Sequence, residues 1–197
     1  EYHFFLPNER FQGTDPLNSG VFQSISHTKD RFWETILAHH IDPQGMEIYH
    51  VPQNGLGLPQ KKTCPWVVTI HDLIPYILPE TVGPAYREIF CKEMPSIIEK
   101  ADHIITVSQH SKKDLIERLH ADEKKISVIY EAPESTYKPI QKNIAKARVK
   151  NKYGIDGPFV LYLGGFSPRK NLPGLIEAFA KMNRDLPCPH KLVIFGR

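Results

Sequence analysis

Short apolar runs alternate with longer stretches of helical periodicity along most of this chain, and this alternation limits its possible folds more than any other feature. The runs are rich in β-branched and aromatic residues and end at Pro, Gly, Asp or Ser, which is typical of buried strands. They occupy residues 2–6, 47–51, 66–70, 103–107, 125–130, 159–163 and 191–195. Strands that are apolar throughout and separated by helices form parallel sheets covered on both faces. We therefore predict an α/β fold.

The stretches between these runs repeat apolar residues every three to four positions, which predicts amphipathic helices. The predicted helices span residues 31–40, 84–100, 111–119 and 172–182. Pro95 lies inside the second helix and is expected to kink it. A serine in front of the third helix, Ser108 or Ser111, is expected to cap it.

A polar, lysine-rich stretch without a strand pattern divides the chain. We predict a first domain over residues 1–135, a linker over 136–157 and the beginning of a second domain over 158–197. A β-α-β segment of about 40 residues is too short to close a core of its own. The second part is therefore expected either to pack against the first part or to lack the further elements that would complete its own core.

Composition excludes several classes of protein. With 41% apolar and 24% charged residues the chain is globular, and a net charge of +3 without a long Lys/Arg block argues against a nucleic-acid partner. Its three cysteines, without a Cys-x-x-Cys pair, predict reduced thiols in a cytoplasmic protein and neither a disulfide framework nor a structural zinc site. The histidines lack ligand spacing, so no metal cofactor is expected.

Polar residues follow one of the predicted strands at the point where ligands bind in parallel α/β sheets. His71 and Asp72 come directly after the run 66–70, and ligands bind at the carboxyl ends of such strands. A catalytic pair, in which Asp72 holds His71 in one tautomer, is one interpretation. The alternative is a hydrogen-bonded turn in which Asp72 caps the residues that follow.

A second candidate site follows the run 159–163. Gly164 and Gly165 allow a ligand to approach the backbone closely, and Arg169 and Lys170 precede a predicted helix. Cations and first-turn amides together suit a diphosphate. Neither a Walker A motif nor a Gly-x-Gly-x-x-Gly motif is present. A solvated turn with two surface cations is the alternative interpretation.

Three segments together resemble the group 1 retaining glycosyltransferases, the large family four with a two-domain GT-B fold. They read VVTIHDLIP (67–75), ADHIITVSQHSKKDL (101–115), and FVLYLGG (159–165) followed by RKNL (169–172). The resemblance implies the N-terminal, acceptor-side half of that fold, a Rossmann-like parallel sheet with helices on both faces, plus the start of a second Rossmann-like domain. It also implies transfer of a hexose, mannose or glucose, from a nucleotide diphosphate sugar to an acceptor hydroxyl, with retention and without a metal.

The resemblance also implies roles for site residues. His71 matches the family's cleft histidine, with Asp72 beside it, and Lys170 matches its phosphate-binding lysine. Gly165 stands where the family's partnering arginine usually follows the first glycine, here Gly164, so we expect Arg169 to take that role from the other end of the loop. The family's Glu-x7-Glu motif belongs to the second domain and is expected beyond Arg197, and its first Gly-rich loop is expected before Glu1. We therefore expect an incomplete portion of the enzyme that is inactive by itself.

Two other classes stay open. One is a non-catalytic α/β binding or scaffold module derived from such an enzyme, and the other is a different GT-B enzyme, such as an epimerase or a phosphorylase. The expected partners are a nucleotide-sugar donor and a glycan or lipid-linked acceptor. A basic face could touch the inner side of a membrane, although ordinary solvated helix faces are the favoured explanation. Its cations are Lys112, Lys113, Arg118, Lys124 and Lys125.

Overall fold

A computed structural model describes residues 2–6, 20–24 and 45–196 of the chain. These residues fall into two compact units, of which the first ends at Glu131 and the second begins at Ala132. Each unit is described by itself below. The helix predicted over residues 31–40 lies outside the described residues. The predicted domain limits, 1–135, 136–157 and 158–197, stay a prediction.

The first unit contains six of the described strands, all of them in parallel pairs. Strands β1 (Tyr2–Leu6) and β2 (Gly20–Ser24) form one pair. Four further strands form a sheet in which neighbours in sequence are neighbours in space. They are β3 (Tyr49–Val51), β4 (Trp66–Ile70), β5 (His103–Thr106) and β6 (Ile126–Val128). This parallel sheet is flanked by helices, which confirms the predicted Rossmann-like α/β fold.

The core lies where the two central strands meet the helices. Val68 and Ile70 of β4 and Ile104 of β5 are fully buried. The helices of this unit are α1 (Ile74–Ile77), α2 (Pro84–Lys100) and α3 (Gln109–Leu119). Phe90 and Met94 of α2 are as completely buried as the strand residues. Burying such side chains stabilises the fold by roughly 1.5–3 kcal/mol each.

Pro95 lies within α2 without ending it, and the kink expected there stays a prediction. Proline has no amide hydrogen, so the carbonyl of Cys91, one turn earlier, loses its partner in the helix. The Tyr76 hydroxyl donates a hydrogen bond of 3.0 Å to that carbonyl. The short helix α1 is therefore attached to α2 at the point where the proline weakens it.

The second unit is a smaller arrangement of two strands and two helices. It contains α4 (Lys142–Tyr153), the parallel strands β7 (Phe159–Leu163) and β8 (Lys191–Phe195), and α5 (Leu172–Met182). Helix α4 lies within residues 136–157. These residues are predicted to be a linker because they lack a clear apolar pattern. No residue between 132 and 196 is buried.

Among the described residues, no helix is both long enough and apolar enough to cross a membrane.

Candidate active site

His71 follows β4 directly and is held through its backbone from two sides. Its amide donates a 2.9 Å hydrogen bond to Asn54 Oδ1, and its carbonyl accepts a 2.8 Å hydrogen bond from the Ser111 hydroxyl. Asn54 belongs to the loop after β3, and Ser111 lies in the first turn of α3. Elements on either side of β4 in the sequence therefore fix the position of this histidine at the carboxyl edge of the sheet.

Asn54 connects this edge to helix α2. It is buried, and its backbone has a φ of +54°, a left-handed conformation that asparagine tolerates better than most residues. Its Nδ2 donates to the Tyr86 hydroxyl at 3.3 Å while its Oδ1 accepts from the His71 amide. An amide side chain can both donate and accept, so one residue satisfies both partners.

The imidazole of His71 contacts Pro52 and Glu131 through its two nitrogens. Nε2 lies 3.0 Å from the Pro52 carbonyl oxygen, and Nδ1 lies 3.5 Å from Glu131 Oε1. A carbonyl oxygen can only accept, so Nε2 carries a hydrogen in this arrangement. Nδ1 is then the nitrogen that can accept a proton. The side chain is 35% exposed, so a ligand can reach it.

Asp72 makes the contact expected from one of its two interpretations, that of a turn cap. Its Oδ1 accepts a 3.0 Å hydrogen bond from the Ile74 amide, at the start of α1. Both nitrogens of His71 face other groups, as described above. The structure therefore does not support the pairing in which Asp72 selects the His71 tautomer, and it supports the alternative interpretation of Asp72 as a turn cap.

Two serines after β5 connect helix capping with the site. Ser108 is the N-cap of α3, and its Oγ accepts a 3.0 Å hydrogen bond from the Ser111 amide, as the sequence predicted. The Ser111 hydroxyl lies 2.9 Å from Ser108 Oγ and donates to the His71 carbonyl. The start of α3 and the position of His71 therefore depend on the same pair of hydroxyls.

Four residues that contact His71 were not among the predicted site residues: Pro52, Asn54, Ser111 and Glu131. Pro52 and Asn54 follow β3, so the rule that sites form at the carboxyl ends of strands could have drawn attention to them. Ser111 was considered only as a helix cap. The contact between Glu131 and His71 could not be predicted, because the two residues are far apart in the sequence.

The second unit contains the other candidate residues, in the connection between β7 and α5. The Gly164 amide donates to the Phe195 carbonyl at 3.0 Å, and the Tyr162 hydroxyl donates to the Gly165 carbonyl at 2.6 Å. Arg169 and Lys170 lie on a single 3-10 turn, Pro168–Lys170, and both are exposed. Their guanidinium and ammonium groups have no partner among the described residues.

Asn171 links this turn to the following helix. Its backbone is left-handed, with a φ of +47°, and its Oδ1 accepts a 3.3 Å hydrogen bond from the Gly174 amide at the start of α5. The Ser167 hydroxyl is buried and has no hydrogen-bond partner within the described part of the chain. The turn thus presents two cations in front of a capped, 11-residue helix.

Most of the cations on the basic face are already matched by an acceptor. Lys112 lies 3.0 Å from Glu123, Lys113 3.7 Å from Glu117 and Arg118 3.1 Å from Asp114. The Lys125 ammonium donates to the Ala101 carbonyl at 3.1 Å. These contacts favour ordinary solvated helix faces over a surface directed at an anionic membrane.

Across residues 2–6, 20–24 and 45–196, no three His, Cys, Asp or Glu side chains are grouped closely enough to hold a metal ion. The expectation of a reaction without a metal stays a prediction.

Comparisons with known proteins show similarity to glycosyltransferases. The family model described as Glycosyltransferase Family 4 matches residues 23–132, more than half of the chain. A serotype-specific mannosyltransferase WbdA of Escherichia coli is 28% identical over 135 residues, which are 66% of this chain and 16% of that protein. O-antigen chain mannosyltransferase B of Escherichia coli is 27% identical over 150 residues, which are 76% of this chain and 38% of that protein. The chain thus spans well under half the length of these relatives.

Proposed function

Because the chain belongs to Glycosyltransferase Family 4, we propose that its protein transfers a hexosyl group from a nucleotide diphosphate sugar to a hydroxyl of a glycan or lipid-linked acceptor, with retention. The observation that carries this proposal is the family match over residues 23–132, which includes His71 and its partners Pro52, Asn54 and Ser111. Mannose is the sugar we expect first, because the relatives reported above are named mannosyltransferases.

In this reaction the bond between the anomeric carbon and the diphosphate oxygen breaks, and the acceptor oxygen forms the new glycosidic bond. Negative charge grows on the diphosphate as it leaves, so cations placed beforehand stabilise the transition state more than the ground state. Arg169 and Lys170 fit this demand because both are exposed and unpaired among the described residues. Gly164 and Gly165 precede them without side chains that would obstruct a phosphate.

We assign His71 to the reacting sugar or the acceptor hydroxyl. The Pro52 carbonyl fixes Nε2 as a donor, which leaves Nδ1 to accept a hydrogen bond or a proton from a substrate hydroxyl. The Glu131 carboxylate lies 3.5 Å from Nδ1, on the same side of the ring. Asn54 and Ser111 hold the backbone, so the ring needs little reorganisation during the reaction.

We propose that the protein acts in the cytoplasm on a glycan or lipid-linked acceptor. Peripheral contact with the inner face of a membrane is included only as a means of reaching a lipid-linked acceptor, because most cations of the basic face are paired. No metal or other cofactor is required for the proposed reaction.

The experiment that tests the proposal is a transfer assay on the protein expressed from its complete open reading frame. Nucleotide diphosphate hexoses would be offered with mannose-containing acceptors, and release of the nucleotide diphosphate would be measured. The configuration of the new glycosidic bond would be read by NMR. A protein that binds the acceptor glycan but releases no nucleotide diphosphate from any donor would contradict the proposal and favour the non-catalytic module.

Two matched pairs of variants test the assigned residues. His71→Ala should lower kcat by about 100-fold or more, which is the usual contribution of a proton-transfer group. His110→Ala removes a histidine that is 83% exposed on α3 and should leave kcat unchanged. Lys170→Ala should lower kcat/KM by about 100-fold through loss of charge stabilisation. Lys181→Ala, on the exposed surface of α5, should have no such effect.

A further inference from the structure

A cavity of about 210 Å³ lies in the first unit, between the loop after β3 and helix α2. One wall is the loop segment from Gly55 to Gln60, and the other consists of Glu93, Ser96, Ile97 and Lys100. The same loop begins with Pro52 and Asn54, the residues that contact His71. The cavity is therefore continuous in sequence with the candidate active site, although none of its lining residues takes part in that site.

The packing of Gly55 shapes one end of this cavity. A Cβ built on Gly55 would lie 2.5 Å from Ile97 Cγ2 and 3.1 Å from Val68 Cγ1. The loop backbone therefore approaches α2 as closely as a residue without a side chain allows.

Helix α2 directs a row of polar side chains at the cavity. Glu93, Ser96 and Lys100 are spaced at i, i+3 and i+7, so they lie along one stripe of the helix. Among the described residues, none forms a hydrogen bond or an ion pair with these three side chains or with the Gln60 amide. Their donors and acceptors are therefore available to a ligand, which would replace water there.

The chemistry of these four side chains favours a neutral ligand with many hydroxyl groups. One carboxylate and one ammonium cancel in charge, so neither an anion such as phosphate nor a metal cation is matched. A hydroxyl group both donates and accepts, and it can therefore bind to Glu93, Lys100, Ser96 and Gln60 alike. The cavity also has an apolar surface against which the carbon face of a sugar ring can pack, formed by Leu58, Pro59 and Ile97.

We propose that this cavity is a subsite for one sugar unit of the acceptor glycan, away from the hydroxyl that reacts. The role of this subsite in holding an acceptor rests on the proposed transferase function. The binding of a sugar in the cavity does not. The volume supports a single ring, because sites for drug-sized ligands enclose about 300–1,000 Å³. An acceptor chain that reaches His71 would be held a second time by the same loop.

The test is a titration of the uniformly ¹⁵N-labelled chain with methyl α-D-mannopyranoside and with an α-linked mannobiose, followed by amide chemical shifts. We expect shifts confined to the loop 55–60 and to residues 93–100 of α2. Ser96→Leu fills the cavity and should abolish these shifts, and Glu93→Gln should weaken binding by about tenfold through loss of a charged acceptor. Glu99→Gln, an exposed change elsewhere on α2, should leave them intact.

Several outcomes would overturn the proposal. They are the absence of shifts in these segments, shifts that persist unchanged in Ser96→Leu, and shifts of the same amides caused by sodium phosphate or calcium chloride but not by the sugars. If Ser96→Leu does not fold, as judged by circular dichroism, Gln60→Ala in the exposed part of the loop replaces it and should weaken binding. Sugar binding here without any transfer by the complete protein would refute the proposed function and leave the subsite standing.

Discussion

Gly55 is the residue on which the close contact between the β3 loop and helix α2 depends. We predict that Gly55→Ala destabilises the first unit, because the added methyl group would overlap Ile97 and Val68. Gly45→Ala is the matched control: its φ of +80° is also left-handed, but a Cβ there meets nothing within 4 Å. The free energy of unfolding should fall by about 1–3 kcal/mol more for Gly55→Ala than for Gly45→Ala. If chemical denaturation gave the same loss of unfolding free energy for both variants, the left-handed backbone alone, and not the contact with α2, would explain the loss.

Asp102 makes a second testable contribution at the scale of single residues. The Lys62 ammonium, 2.7 Å away, and the Trp66 amide hold the pKa of this carboxyl below its ordinary value of 3.8. Because the pKa is lower in the folded state, the stabilisation is complete above the ordinary pKa and is lost as the pH falls through the folded one. The side chain is 45% exposed, so the effect should be less than about 1 kcal/mol.

The corresponding measurement is urea denaturation of the wild-type chain and Asp102→Asn between pH 7 and pH 3. Asparagine keeps an acceptor for the Trp66 amide but cannot titrate or pair with Lys62. The wild type should be the more stable at pH 7, and the difference should shrink as the pH approaches 3. Glu99→Gln serves as the control carboxyl. A difference that stays constant with pH would show that the ion pair contributes nothing.

At the scale of elements, α1 and α2 are coupled by the hydrogen bond from Tyr76 to the carbonyl that Pro95 leaves free. Tyr76→Phe should lower the free energy of unfolding by about 1 kcal/mol, because that carbonyl then has no protein partner. In a Pro95→Ala background, the restored backbone amide at this position can bond to the same carbonyl as in a regular helix. The loss of unfolding free energy caused by Tyr76→Phe should then approach zero. A double-mutant cycle measures the difference between this loss in the wild-type and the Pro95→Ala backgrounds. The same cost in both backgrounds would exclude this coupling.

Elements with a strong apolar pattern could be predicted almost to the residue. The strands Trp66–Ile70 and Phe159–Leu163 and the helices Pro84–Lys100 and Leu172–Met182 have the predicted bounds. Among the described α-helices and strands, three were not predicted, for different reasons. Helix α1 has only four residues, β2 is a short run bordered by polar residues, and α4 carries five cations and no buried side chain, so it has no apolar stripe.

The position of His71 could be predicted from the sequence, but its partners could not. The rule about the carboxyl ends of parallel strands places a polar residue at an edge, and His71 follows β4 as expected. Its contacts come from Pro52 and Asn54, which are 19 and 17 positions away, and from the more distant Glu131. Asp72 was one candidate partner because it is adjacent in sequence. Such contacts depend on how loops pack, which periodicity does not encode.

At the scale of the whole molecule, the two units differ sharply in how much apolar surface they bury. In the first, Val68, Ile104 and Phe90 are fully buried. In the second, Leu163 is 71% exposed and Phe195 62% exposed, although both belong to strands. A two-stranded sheet is at best marginally stable in water, and a third strand or a closely packed helix is needed to stabilise it. The loop with Arg169 and Lys170 is therefore carried by the less stable unit.

This difference predicts unequal hydrogen exchange within one chain. Amides of β7 and β8 should exchange at least about 100-fold faster than those of β4 and β5, because local opening exposes little additional apolar surface in the second unit. Exchange followed by mass spectrometry on the intact chain, with peptides covering residues 66–70 and 159–163, measures this ratio. Both strands have five residues and form only parallel pairs, but β4 has a neighbouring strand on each side, whereas β7 is paired with β8 alone among the described residues. If the two strands were equally protected, the apolar side chains of the second unit would have to be covered in solution, and the loop with Arg169 and Lys170 would then be as well ordered as the surroundings of His71.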